Sequence, residues 1–168
     1  PNSADGWLVD VDIDGDLDLI VKKYVTTDRY WPAVYLNDKA QGGASVFTDA
    51  SAVNLPPYLG EVALYLAVGD LNADGLPDIY VSKRDDQDWL LLNKGWMENK
   101  AMTEKNRVPT GAFANNTMFG LPEDAYDTHA CAAGDIDGDG DIDLVMNATF
   151  GDWTRIWVND GAGNFFDE

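Results

Sequence analysis

Three nine-residue windows concentrate the groups that could do chemistry. The first carries Asp10, Asp12, Asp14, Asp16 and Asp18 around Gly15. The second carries Asp70, Asn72, Asp74 and Asp78 around Gly75, with Leu76 in the seventh place. The third carries Asp135, Asp137, Asp139, Asp141 and Asp143 around Gly140. Side-chain oxygens thus recur at the first, third, fifth and ninth places, and glycine holds the sixth. Alternate spacing in a tight loop points successive carboxylates at one centre, and the glycine permits a turn that brings the seventh carbonyl inward. A hard cation of calcium size accepts about six to eight such oxygens at about 2.3–2.6 Å, whereas Mg²⁺ wants a near-octahedral shell and holds its waters. The chemistry expected is Ca²⁺ ligation, one ion per loop and about three in the chain.

Single Asp-Gly runs are usually solvated turns, but three copies at one spacing are hard to assign to chance. Packing four carboxylates within a few ångström without a cation is also strongly repulsive. The EF-hand shares the opening of the pattern but needs a bidentate Glu at its twelfth place and flanking helices. The twelfth residues here are Val21, Val81 and Met146. With Asn72 and Leu76 the second loop is the least charged and is expected to bind most weakly.

The elements that position these loops follow from the repeat. The windows start 60 and 65 residues apart. Behind each runs a β-rich apolar stretch, Leu19-Ile20-Val21, Ile79-Tyr80-Val81 and Leu144-Val145-Met146. Further on, an apolar segment ends in Asn37, Asn93 or Asn159, and a turn leads to a strand bearing Phe47, Phe113 or Phe165. Strands lead into the windows at Leu64–Gly69 and His129–Gly134, while before the first only Trp7, Leu8 and Val9 remain. The expected fold is all-β: about three repeats, each a four-stranded antiparallel blade of the β-propeller type, forming an incomplete ring alone. The expected boundaries are residues 1–56, 57–121 with a hairpin insertion at 94–112, and 122–168. A short helical turn is conceivable only within Met97–Asn106.

Composition agrees. The 168 residues include 11 Lys+Arg and 30 Asp+Glu, a formal charge of −19, with 45% hydrophobic residues. That is apolar enough for a core and too acidic for a nucleic-acid partner. Asp outnumbers Glu by 25 to 5, and 13 of those Asp lie in the windows, where Glu is a methylene too long. Three bound Ca²⁺ would bring −19 to −13. No apolar run is long enough for a transmembrane helix. The chain starts at Pro1, which suggests a processed chain or a fragment, and Cys131 alone excludes an internal disulfide framework.

These loops, the Gly69-Asp70 and Gly134-Asp135 entries and the Leu-Asn…Gly…Phe hairpin resemble FG-GAP/VCBS repeats, the blades of integrin-α-like propellers. The resemblance covers essentially the whole chain. It implies a Ca²⁺ in the loop between the first two strands of each blade and an extracellular or cell-surface setting, where calcium is millimolar. Val9, standing where the other copies have Gly, suggests that the first loop is entered differently.

No catalytic constellation is present, so the chain is not expected to be an enzyme. His129, the one histidine, and Cys131 match Leu64 and Leu66 and read as buried packing residues. Trp31, Trp89 and Trp153 lie in the connection after the second strand and Trp96 in the insertion, where they could contact a sugar or a protein partner. Packing between blades is the commoner fate of such residues. The insertion also carries Lys94, Lys100, Lys105 and Arg107, and a solvated variable loop is the plainer reading of it. The sequons at Asn115 and Asn147 matter only in a eukaryotic secretory pathway.

The function expected is a calcium-stabilised extracellular repeat module for adhesion, binding a protein or carbohydrate ligand. The alternatives are a subunit that assembles with other copies of itself into a ring or filament, and the non-catalytic portion of a secreted polysaccharide-active enzyme. A piece of a longer propeller is the preferred account of three blades.

Overall fold

A computed structural model describes residues 6–26, 29–37, 47–57, 63–84, 86–95, 111–123, 128–148 and 154–168. They form three four-stranded sheets in which every neighbouring pair is antiparallel. The first contains β1 (Gly6–Val9), β2 (Asp18–Thr26), β3 (Arg29–Asn37) and β4 (Phe47–Asp49). The second contains β5 (Ala63–Gly69), β6 (Asp78–Lys83), β7 (Trp89–Asn93) and β8 (Phe113–Asn115). The third contains β9 (Thr128–Gly134), β10 (Asp143–Ala148), β11 (Thr154–Asn159) and β12 (Phe165–Asp167). Strands follow one another in space in chain order, so each sheet is a simple meander, as in a propeller blade. Among the described residues no helix is long and apolar enough to cross a membrane.

The side-chain period of two decides where the core sits. In the middle sheet Ile79, Val81 and Leu91 face one cluster, while Tyr80, Leu90 and Leu92 face another. The first cluster joins them to Val11, Ile20 and Val34 of the first sheet. The second joins them to Leu144, Met146, Trp157 and Phe165 of the third. Both faces of the middle sheet are covered, so its strands read as continuous apolar runs. Each such side chain, fully buried, contributes roughly 1.5–3 kcal/mol.

Two single-turn helices that the sequence pattern did not suggest follow the outer strands: α1 (Ser51–Asn54) and α2 (Thr117–Gly120). Their opening hydroxyls share a task. Ser51 Oγ accepts the Val34 amide at 3.0 Å, and Thr117 Oγ1 accepts the Leu90 amide at 3.1 Å. The turns then deliver Leu55 and Leu121 into the two clusters. The residues 97–106 lie outside the described residues.

In all three sheets the acidic loop joins the first strand to the second in one register. Val9 pairs with Asp18, Gly69 with Asp78 and Gly134 with Asp143. Val9 therefore enters its loop as the glycines do, which corrects the expectation of a different entry, because a strand residue with ordinary extended backbone needs no glycine.

Candidate metal centres

Each loop is wound by its own carboxylates. The first Asp gathers loop amides: Asp10 accepts from Asp14 and Gly15 at 3.1 and 3.0 Å, Asp70 from Asp74 and Gly75 at 3.1 and 2.9 Å. Asp135 accepts from Gly138 and Gly140 at 2.7 and 3.2 Å. The fifth residue accepts the amide of the seventh, at 3.1 Å for Asp14, 2.9 Å for Asp74 and 2.9 Å for Asp139. The ninth uses both oxygens: Asp18 takes the amides of Val11 and Asn37, Asp78 those of Leu71 and Asn93, and Asp143 those of Ile136 and Asn159, all at 2.7–2.9 Å. One loop is thereby tied to both the second and the third strand of its sheet.

The winding needs left-handed backbone at two places. Gly15, Gly75 and Gly140 have φ of 96, 84 and 101°. The fourth residue is also left-handed, with φ of 59° at Ile13, 54° at Ala73 and 85° at Gly138. For β-branched Ile13 this is a strained conformation, costing on the order of 1–3 kcal/mol.

Carboxylate oxygens of Asp10, Asp12 and Asp18 lie within 4.8 Å of one another, and those of Asp135, Asp137 and Asp143 do the same. These two acidic clusters could each hold a metal ion. The first, third and ninth places therefore converge, whereas Asp14, Asp139, Asp16 and Asp141, also expected as ligands, are not members of either triad. Asp14 and Asp139 each commit one oxygen to winding the loop. In the second loop Asn72 takes the third place and donates to Asp74 at 3.1 Å, and Asp70, Asp74 and Asp78 form no triad. Leu76 has no carboxylate to offer and bonds through its amide to Asp74.

The fit of a cation is visible at Asp12. Its Oδ1 is buried with no hydrogen-bond partner. Burial, then the charges of Asp18, Asp14 and Asp10, push its carboxyl up to about 6. Burial also raises Asp18, against the Asn37 and Val11 amides that hold it down, and raises Asp78 to about 7 against the Asn93 and Leu71 amides. A cation among Asp10, Asp12 and Asp18 would partner the orphaned oxygen and cancel the repulsion.

A further set of residues completes the loops. Asn93 donates its side-chain amide to the Val11 carbonyl at 2.9 Å, and Asn159 donates to the Leu71 carbonyl at 2.9 Å and to that of Ile142 at 3.0 Å. Val11 and Leu71 are second residues of the preceding sheet's loop, so the first and second loops are each clamped from the sheet that follows. Asn93 Oδ1 accepts the Gly95 amide, and Asn159 Oδ1 accepts those of Gly161 and Gly163. The approach is close: a Cβ at Gly163 would stand 3.2 Å from Asn72 Cβ and 3.4 Å from the Leu71 carbonyl oxygen. The recurring Asn was visible in the sequence, but its partner lies in another repeat and left no local mark.

Trp31 and Trp89 are half-buried and pack against the first core cluster, and Lys83 Nζ lies 4.1 Å from the Trp89 ring centroid. Trp96 and Trp153, with Lys100, Lys105 and Arg107, lie outside the described residues. Cys131 is half-buried against the second cluster and His129 is half-buried, whereas Leu64 and Leu66 at the matching positions of the middle sheet are fully buried.

Comparison with known families gives a match to the FG-GAP-like repeat over residues 10–81 and again over 70–146. Each match begins at the first Asp of an acidic loop and runs through the next loop into the strand beyond it. A comparison with curated proteins gives no match.

Proposed function

The chain belongs to the FG-GAP-like repeat family, and on that premise we propose that it is a calcium-stabilised extracellular module that works by binding, without chemistry of its own. The observation that carries this reading is the pair of three-carboxylate clusters, one of which holds a buried carboxylate oxygen without a partner. All donors are oxygens, the set a hard cation prefers, and the loops offer no imidazole or thiolate that would favour a softer metal.

Asp10, Asp12 and Asp18 would hold one ion, and Asp135, Asp137 and Asp143 another. When bound, Ca²⁺ supplies neutralisation of carboxylates that otherwise repel. The protein's own contribution is to fix those carboxylates: Asp18 and Asp143 are held by two backbone amides each, so they cannot swing away when the ion leaves. The second loop, with Asn72 in the third place, is the weakest site. Extracellular calcium modules bind at about 10⁻⁴–10⁻³ M, which suits a setting where calcium is permanently abundant and the ion is structural.

Calorimetric titration with Ca²⁺, paired with thermal melts in Ca²⁺ and in EGTA, tests the reading. Two comparable sites and a weaker third are expected, with a lower melting temperature in EGTA. Absence of Ca²⁺ uptake together with an unchanged melt would reject it.

A further inference from the structure

The faces that stack the three sheets are built from the same kinds of apolar side chain, and apolar burial has no direction. Such faces could exchange partners, and misassembly between units is a characteristic failure of repeat proteins. At the end of the sheets away from the acidic loops, where β6 finishes and β5 and β9 begin, each interface also carries a polar contact. The two contacts have opposite chemistry.

Between the first and second sheets the contact is a cation. Lys22 Nζ on β2 donates to the carbonyl of Leu64 on β5 at 2.7 Å. The ammonium lies 4.9 Å from the Tyr30 ring centroid and 5.1 Å from that of Tyr65, so one ring from each sheet flanks it. Between the second and third sheets the contact is an acid. Asp88 is 2% exposed, and Tyr80 and Thr128 are buried with it. One Asp88 oxygen accepts the Lys83 amide at 2.6 Å. The other accepts the Tyr80 hydroxyl and, from the third sheet, the Thr128 hydroxyl at 3.0 Å.

The repeat makes the difference exact. Counted from Asp18 and Asp78, Lys22 corresponds to Ser82, whose hydroxyl is engaged within its own sheet by the Tyr65 amide at 2.9 Å. Counted back from Asn37 and Asn93, Pro32, the cross-strand partner of Lys22, corresponds to Asp88. On the receiving strands, counted back from Gly69 and Gly134, Ala63 corresponds to Thr128 and Tyr65 to Ala130. A wrong neighbour is therefore mismatched. The third sheet stacked on the first would set the Thr128 hydroxyl against Pro32, which has no side-chain acceptor, and Ala130 where Tyr65 flanks the ammonium. A strand like β5 stacked on the second sheet would leave Asp88 facing Ala63. Buried polar groups without partners are penalised, and that penalty falls on the wrong pairing alone. We propose that Lys22 and Asp88 are recognition keys: the apolar faces make sheets stack, and these two residues decide which sheet stacks on which.

Refolding the full chain from urea in Ca²⁺-containing buffer, followed by two-dimensional amide NMR, tests it. The parent should return one set of signals. Thr128→Val keeps the size of the side chain and removes the hydroxyl, and it should return a second set for β9 to β12. Lys22→Met keeps the stem and removes the ammonium, and it should do the same for β1 to β4. Thr128→Ser retains the hydroxyl and should behave as the parent. Ile79→Val weakens the apolar core with both keys in place, so it should lower the urea midpoint and still return one set. A single set from either keyless variant, or a second set from Ile79→Val, would overturn the proposal. A keyless variant that simply unfolds would make the contact a matter of stability alone and would overturn it as well.

Discussion

The side-chain amide of Asn159 reaches the carbonyl of Leu71, 88 residues earlier, at 2.9 Å. The same bond joins Asn93 to Val11 across 82 residues. Both are buried, and in both the asparagine terminates the third strand of its own sheet while holding the acidic loop of the sheet before.

Asn159→Ala should therefore be costly. It strips partners from the carbonyls of Leu71 and Ile142 and from the amides of Gly161 and Gly163. Leaving buried groups unpaired costs about 1–3 kcal/mol each, so a loss of roughly 3 kcal/mol is expected after partial relaxation. Asn37→Ala, which breaks only bonds within its own sheet, should cost about 1 kcal/mol. Urea denaturation of the two variants compares them, and equal costs would refute the clamp.

Asn72→Asp should complete a triad with Asp70 and Asp78. In Ca²⁺ the second loop should then bind as tightly as the other two, and calorimetry should count three comparable sites. In EGTA the added charge should lower the melting temperature, since it sits among carboxylates already repelling one another. An isotherm identical to that of the parent would show that the third position does not govern affinity.

Asp78→Ala and Asp74→Ala separate two kinds of loop aspartate. Asp78 is fully buried and pairs the amides of Leu71 and Asn93. Its removal leaves both unpaired and should cost about 2–5 kcal/mol, metal or no metal. Asp74 is exposed and closes only the local turn, so its loss should cost far less. Denaturation in EGTA reads the contrast, and a similar cost at both positions would contradict it.

Acid should release one surface tie only at low pH, after Asp12 and Asp78 have taken up their protons. The Lys23 ammonium and the Ser51 hydroxyl hold the Asp49 carboxyl down at about 2. A lowered value means that the ionised form is favoured in the folded chain. Its stabilisation is full at neutral pH, starts to fall below about pH 4 and is gone once the pH passes below about 2. Carboxyl chemical-shift titration should place the midpoint near the lower value. Lys23→Met should move it back toward the ordinary carboxylate range, and no movement would deny the pairing.

Much of this arrangement was legible in the residues, for a physical reason. Loop winding is local: Asp10 to Gly15 and Asp14 to Asp16 are contacts over a few residues, and they impose their spacing directly on the chain. Strand order followed because each sheet is a meander of neighbours. The functions of individual aspartates were less legible. All five looked alike as ligands, yet only those at the first, third and ninth places come together as a triad, in the first loop and again in the third. The clamp by Asn93 and Asn159 was hidden altogether, since its acceptor is a carbonyl that any residue carries. The turns at Ser51 and Thr117 are a single helical turn each, too short to leave a period. Trp31 and Trp89 could face outward or inward on alternation alone, and only the stacking of sheets settles them against the core.

The backward reach of Asn93 and Asn159 also gives the molecule a time order. As the chain leaves the ribosome, the loop at Val11 is released long before Asn93, and the loop at Leu71 long before Asn159. The first and second acidic loops must each wait for a residue not yet synthesised, so each of the first two sheets is completed by the sheet made after it.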